Sequence, residues 1–588
     1  MVLNEPLGDY PRTLTDSLVR YARQKPDQVF LSMRRDDGRL DALTYGETLA
    51  KVEQIGTALL RRNLSLDRPI MILSENDLEN ALLFLAALHV GIPYVPVSPP
   101  YSLLSEDYLK LRGVVELIQP GLIFACDGAR YAAAIRAIAP KDAEIVTVIN
   151  HLSDPASTPF SSLLQEADAE AVRRAHDSIK PNDIAKILFT SGTTGKPKGV
   201  MFPHVMLASQ RQQVAQTFAF TLEEPVHMVD WLPWHHTFGG THNFGVVLYS
   251  GGSLRVDTGR PTPELVGPTV RNLKEVAPTL YQNTPAGLAT LLPHLKEDRQ
   301  LRENFFSRLK LIYYGGATLP LHIWHAYDEL SYETVGERVM ITSGLGCTEA
   351  GPTPTSANWD PGYVSLVGHP VPGVIAKIAP VQNKFELRLK GDCVTPGYYK
   401  APQLTKAAFD EDGFYRTGDA VEFIDPEHPE RGLKFNGRLS ENFKLLSGTW
   451  VDVADLRAKV ISAMSPLAKD VVITAPNRDF LGAIVFPDVL ECAKLAGLPQ
   501  NATSADLVSA PKVRKPIQDA LNRLNREGTG AANRIMRVVL TEEPATLDTG
   551  ELTDKSAISQ RAVLERRTSL IQDIYSATPS DKVLIAQP

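Results

Sequence analysis

The chain reads as an α/β protein, with a large N-terminal domain of parallel-rich sheets sandwiched by helices and a small α+β C-terminal domain. Three observations predict this. Short, continuously apolar runs alternate with helical runs through the first two-thirds, the pattern of parallel strands covered on both faces. After about residue 437 the segments become shorter and more charged. A length of 588 residues also exceeds what a single hydrophobic core serves. The boundary is placed at Arg438, giving domains 1–437 and 438–588.

The elements follow in order. Pro69-Ile-Met-Ile-Leu73 reads as a buried strand, Asp77 to Val90 as a helix closed by Gly91, and Tyr94-Val-Pro-Val97 as a second strand. Leu122–Ala125, Ile145–Val148, Ile184–Phe189 and Leu309–Ile312 repeat the strand pattern. In the C-terminal domain, strands at Val471–Thr474 and Arg537–Leu540 flank a helix beginning near Pro511. The longest apolar stretch, Ala81 to Ile92, is shorter than the ~20 residues that span a bilayer. It reads as a buried helix, and no membrane span is expected.

Composition narrows the function classes. The chain is 43% hydrophobic and 22% charged, with a net charge of −7 and no Lys/Arg-dense tract, which argues against a nucleic-acid partner. Cys126, Cys347, Cys393 and Cys492 lie far apart without a C-x-x-C pair, as expected of a reduced, cytoplasmic protein lacking a zinc site. The N-terminus has neither a basic start nor an apolar core, so no signal peptide is expected.

The chemistry-bearing stretch is Thr190-Ser-Gly-Thr-Thr-Gly-Lys-Pro-Lys-Gly199, which follows an apolar run. Glycines let backbone N–H groups wrap an anion, hydroxyls add donors, and Lys196 and Lys198 add charge. This is a phosphate cradle. It is not a Walker A loop, because Thr190 replaces the first glycine and Pro197 stands where the magnesium-binding hydroxyl belongs.

Four further segments follow. Trp231-Leu-Pro-Trp-His-His-Thr-Phe-Gly-Gly240 carries adjacent histidines. With His242 they could suggest a metal site, but adjacent histidines rarely face one ion, and no carboxylate or cysteine sits at ligand spacing. Tyr313-Tyr-Gly-Gly-Ala-Thr-Leu-Pro320 ends a strand in two glycines, which let a flat ring lie against backbone. Ser343-Gly-Leu-Gly-Cys-Thr-Glu349 brings a carboxylate beside a hydroxyl, and Phe414-Tyr-Arg-Thr-Gly-Asp419 is followed by Gly437-Arg438.

In this order the segments resemble the signatures of adenylate-forming enzymes, the superfamily of acyl-CoA synthetases, luciferases and peptide-synthetase adenylation domains. The resemblance implies ATP, Mg2+ and coenzyme A as cofactors. Thr190, Ser191, Gly192, Thr193, Thr194, Gly195, Lys196 and Lys198 would hold phosphates, and Gly315, Gly316 and Ala317 the adenine. His236 would lie by the acyl carboxylate and ATP phosphates, Thr348 at the α-phosphate, and Glu349 on magnesium, while Asp419 and Arg438 would read the ribose. Lys555, in Glu551-Leu-Thr-Asp-Lys555, would be the catalytic lysine of adenylation, and Lys444 would serve the second half-reaction. The hinge is expected near Arg438, where relatives carry Asp or Lys two residues on and this chain has Ser440; Leu345 replaces an aromatic residue.

Such an enzyme joins a carboxylate to AMP and passes the acyl group to a thiol. One site cannot hold both constellations at once, so a mobile C-terminal lid is implied. Tyr10–Thr15, Tyr94–Leu103, Gly448–Val451 and Gln560–Leu564 further resemble bacterial feruloyl-CoA synthetases, which implies a hydroxycinnamic acid as substrate. Trp234, His235, His236, Tyr281, Tyr313 and Gly344 are the expected substrate-slot residues. Alternatives are a medium- or long-chain fatty acid or another aryl acid, loading onto a separate carrier protein, or a non-catalytic nucleotide-binding homologue. The expected partners are small molecules (a carboxylic acid, ATP and coenzyme A), with a homodimer as the candidate assembly.

Overall fold

The computed structural model describes residues 1–2, 5–191, 197–360, 365–476, 478–499, 502–553 and 557–587, with Ser191 described by its backbone alone. Its main sheet has seven strands in the order 157–159, 144–149, 122–127, 70–72, 94–96, 184–191 and 197–203. The first six run parallel, and the last is antiparallel to its neighbour. Ile70–Ile72 and Tyr94–Pro96 are buried at every position, because helices cover both sheet faces. The Leu78–His89 helix shows the local logic: the Asp77 carboxylate caps Asn80 N–H at 2.6 Å, and Gly91 turns the chain away at φ +74°.

Two further sheets complete the parallel part. Strands 227–230, 253–256 and 29–34 run parallel, with 40–44 added antiparallel. Strands 280–283, 311–314 and 340–343 form a parallel trio. Residues 355–438 then depart from the parallel pattern and form a six-stranded antiparallel sheet. Alternation in Lys384-Phe-Glu-Leu-Arg-Leu-Lys390 and short connections account for this, since hairpins need no crossover helix.

From residue 445 onward a separate apolar cluster forms around the sheet of strands 468–474, 481–487, 535–540 and 583–585, with helices 453–464 and 511–527 against it. Among the described residues, polar ties at two places join this part to the rest. Lys384 Nζ lies 2.9 Å from Asp452 Oδ2, and Asp548 accepts from Ser105 Oγ at 2.5 Å and from Glu106 N–H at 2.9 Å. Among the described residues no helix is long and apolar enough to cross a membrane.

Candidate active site

The Thr190–Gly199 stretch sits at the tip of a β-hairpin, in which Thr190 pairs with Lys198 and Ser191 with Pro197. Residues 192–196, and hence Gly192, Thr193, Thr194, Gly195 and Lys196, lie outside the described residues, as does the Ser191 side chain. The second strand is edged by Gly397–Tyr399: Met201 N–H donates to Gly397 O at 3.1 Å, and Tyr399 N–H to Gly199 O at 2.7 Å. That places the Tyr398 ring 5.6 Å from Lys198 Nζ, and its hydroxyl donates to Glu349 Oε1 at 2.8 Å. Thr395 N–H also donates to the Glu349 carbonyl at 2.7 Å, so Glu349 is held at backbone and side chain. Thr348 and Glu349 begin a single 3₁₀ turn, 348–350, and are both half-buried.

His235 and His236 project from a tightly braced loop, their rings 4.1 Å apart. Asn76 clamps the loop, donating to Leu232 O at 2.9 Å and accepting from Trp234 N–H at 3.0 Å. A one-turn π-helix, Phe238–Asn243, follows. Gly240 is obligatory there, since any Cβ would collide with the Trp234 carbonyl. Beneath lies Lys186, 1% exposed, its ammonium 3.2 Å from Gly240 O and 3.4 Å from Trp234 O. Burial pulls this lysine down to about 7. The Trp234 indole, expected as a slot wall, packs edge-on against Phe244 in the core.

Tyr313 stands between Gln282 and Thr342 in register across the parallel trio. In the next turn Gly315 is half-buried and Gly316 and Ala317 are exposed, leaving an open edge. Gly344 packs so closely on the Tyr313 hydroxyl and the Thr355 carbonyl that a Cβ would displace both. The structure does not bring Tyr281 to this face. One residue earlier in the strand, it points the opposite way, edge-on to Phe305 at 5.0 Å, with its hydroxyl accepting from Asn283 Nδ2. Period-two alternation makes Gln282, rather than Tyr281, the neighbour of Tyr313.

Asp419 and Arg438 are cross-strand partners in the antiparallel sheet, with Nε 2.9 Å from Oδ1. The carboxylate is 2% exposed and raised to about 6 by burial, against the opposing pull of Arg438. Neither of its oxygens has a hydrogen-bond donor in good geometry. A buried carboxylate so placed is built to accept hydrogen bonds from something that is not protein.

Ser440 lies exposed in the turn after the Leu433–Arg438 strand, where Leu439 N–H reaches back to Gly418 O at 2.9 Å. Lys444 is exposed on the 443–444/450–451 hairpin, its ammonium 4.8 Å from the Trp450 ring. Lys555 lies outside the described residues. On either side of it, Thr553 N–H donates to Ala557 O at 2.9 Å. Upstream, Leu547 packs into the apolar cluster of the main sheet and Asp548 bonds to Ser105 and Glu106.

Sequence reading missed Tyr398, Asn76, Lys186 and Gln282. Lys186 was legible as a lone charge inside the apolar run Ile184–Phe189. The other three carry no local signal, because their partners lie tens to hundreds of residues away.

The profile of AMP-binding enzymes matches residues 18–399 of this chain. A probable acyl-activating enzyme 16 of Arabidopsis thaliana is 23% identical, over 68% of this chain and 64% of its own length. The long-chain-fatty-acid–CoA ligase FadD15 of Mycobacterium bovis is 24% identical, over 95% of this chain and 96% of its own. Among solved structures, the anthranilate CoA ligase AuaEII in complex with anthranoyl-AMP superposes with a TM-score of 0.68 at 19% identity, covering 95% of this chain and 97% of that one. The profile covers well over half of the residues, from the first helix to the tyrosines beside the hairpin, and on that ground the chain belongs to the AMP-binding enzyme family.

Proposed function

We propose that this protein is an AMP-forming acid–CoA ligase that activates a hydroxycinnamic acid. The observation that carries the nucleotide part is Asp419: a buried carboxylate, paired with Arg438 across two strands, whose oxygens lack hydrogen-bond donors. A ribose diol supplies two such donors. Adenine lies along Gly315-Gly316-Ala317, and the hairpin tip from Thr190 to Lys198 takes the phosphates. Glu349 suits magnesium, since Tyr398 fixes Oε1 while Oε2 accepts no hydrogen bond among the described residues. Magnesium, when bound, offsets phosphate charge.

In the first step an acid oxygen attacks the α-phosphorus, the bond to the bridging oxygen breaks, and pyrophosphate leaves. The chain's work is positioning: His236 at the junction of carboxylate and phosphates, Thr348 at the α-phosphate, and Lys555 neutralising charge. In the second step the thiolate of coenzyme A attacks the acyl carbon and AMP departs. The residues after Ser440 turn about it between the steps, withdrawing Lys555 and bringing Lys444 to the site, while Arg438 stays paired with Asp419.

The aryl-acid assignment draws on the aromatic and planar surroundings of Tyr313 and Gly344, and on the likeness to an anthranilate-activating fold. The likeness to FadD15 favours a second reading, a fatty acid as substrate. Kinetics with ferulate, p-coumarate, benzoate and octanoate separate the two, and a preference for octanoate defeats the first.

A further inference from the structure

Arg567 is a buried cation whose carboxylate partner, Glu551, precedes Lys555 by four residues. Arg567 is 4% exposed and Glu551 0%. The two meet in a bidentate pair, with Nε 2.6 Å from Glu551 Oε1 and Nη2 2.7 Å from Oε2. The remaining N–H groups donate to Thr541 Oγ1, to Glu543 O at 2.8 Å and to Pro544 O at 3.4 Å. All five donors of the guanidinium are thereby used, and the Phe486 ring covers it, its centroid 4.9 Å from Cζ. One cation thus gathers three places: the residues after strand 535–540, the Glu551 side chain, and the junction of helices 560–566 and 568–574. Arg566 adds a longer contact to Glu551 Oε2 at 3.3 Å.

This pair fixes the chain on both sides of Lys555. The Glu551 carbonyl accepts from Ser559 N–H at 2.8 Å, and Leu552 pairs antiparallel with Ile558. Beyond them Ala557 N–H donates to Thr553 Oγ1 at 3.1 Å, beside the Thr553–Ala557 backbone bond described above. Lys555 is the middle residue between Thr553 and Ala557. On the C-terminal side Gln560, 5% exposed, exchanges two hydrogen bonds with Ile473, donating from Nε2 at 2.6 Å and accepting on Oε1 at 3.2 Å. On the N-terminal side Asp548 bonds to Ser105 and Glu106 of the large domain. The stretch from Asp548 to Glu551 therefore has one end on the large domain and the other on a buried guanidinium. A buried ion pair is often no more stabilising than an apolar pair of the same volume, whereas its two parallel hydrogen bonds admit one geometry.

We infer that Glu551 and Arg567 are positioning residues for adenylation, acting on the reaction through Lys555. This rests on the acid-activating reading above and deepens it. Truncating Arg567 would strand a buried carboxylate, so the test uses Glu551→Gln and Arg567→Lys, which keep hydrogen-bonding groups in place but lose the bidentate charged pair. Each is made alone and in a Lys555→Ala background. Two rates are measured: pyrophosphate release from ATP with ferulate or octanoate, whichever wild type activates, and thioester formation from coenzyme A and the matching premade acyl adenylate. Each single variant is expected to slow pyrophosphate release about tenfold to a hundredfold, with thioester formation within about twofold of wild type. In the Lys555→Ala background the same substitutions should slow pyrophosphate release no further, because the group they position is gone. A purely structural pair would slow both half-reactions, or add its full effect to that of Lys555→Ala. Either result overturns the inference, as do wild-type rates in both single variants, and each leaves the acid-activating reading standing. If Lys555→Ala itself releases pyrophosphate at the wild-type rate, the role given to Lys555 in that reading fails and the inference falls with it.

Discussion

The hydroxyl of Tyr398 donates to Glu349 Oε1 at 2.8 Å, while the same ring lies beneath Lys198. A single tyrosine therefore ties the proposed metal carboxylate to the hairpin proposed to take the phosphates. Burial and the adjacent Glu349 push its phenol far above the usual tyrosine range, so it remains a donor at every working pH. Removing the hydroxyl in Tyr398→Phe frees Glu349 to rotate. A hydrogen bond to a charged group contributes about 1.5–3 kcal/mol. The magnesium concentration giving half-maximal activity should rise about tenfold or more, with the fold unchanged by circular dichroism; an unchanged magnesium requirement refutes the tie.

Asp419 yields a pH prediction with opposite signs for binding and stability. Its folded value of about 6 lies above the 3.8 of the unfolded chain. Between those values the folded state binds the extra proton, so this group's contribution to stability falls as pH rises from about 4 to 6. ATP binding needs the ionised form, so KM for ATP should climb as pH falls below about 6. Asp419→Asn should flatten that dependence, weaken ATP binding and raise stability at pH 7 by about 1–2 kcal/mol. A KM profile identical to wild type contradicts the ribose assignment.

Lys186 behaves in the reverse sense. Its folded value of about 7 is below the 10.5 of the unfolded chain. The unfolded state holds the extra proton between those values, so this group's contribution to stability rises with pH across that window. Lys186→Met should remove the rise and stabilise the protein at neutral pH by about 1–4 kcal/mol. Because the ammonium holds the Trp234 and Gly240 carbonyls, the variant should also lose activity as the histidine loop relaxes. Thermal unfolding from pH 6.5 to 9.5 decides; a wild-type slope in the variant is the contrary result.

Much of this was legible in the sequence because the strands are continuous apolar runs and the motifs are contiguous. Asp419 and Arg438 are 19 positions apart, yet each ends a recognisable segment, and strand pairing brings them together. Tyr281 and Gln282 show the limit: alternation says they face opposite ways, but only the packed helices say which way is the site.

Asp548 docks the segment preceding Lys555 onto Ser105 and Glu106. Asp548→Ala should slow acyl-adenylate formation severalfold, on the order of 1 kcal/mol. Thioester formation from premade acyl adenylate should stay near wild type, because that step needs the loop withdrawn. Single-turnover assays of each half-reaction separate the two, and equal slowing of both contradicts a docking role confined to adenylation.

The central claim is that the Asp419–Arg438 pair, the hairpin and Glu349 together hold ATP so that an organic acid captures AMP. Purified protein with magnesium, ATP, coenzyme A and each of several aryl and alkyl acids should release AMP and pyrophosphate in equal amounts, and only when acid is present. If no acid yields AMP, or if ADP and phosphate appear instead, the account is wrong.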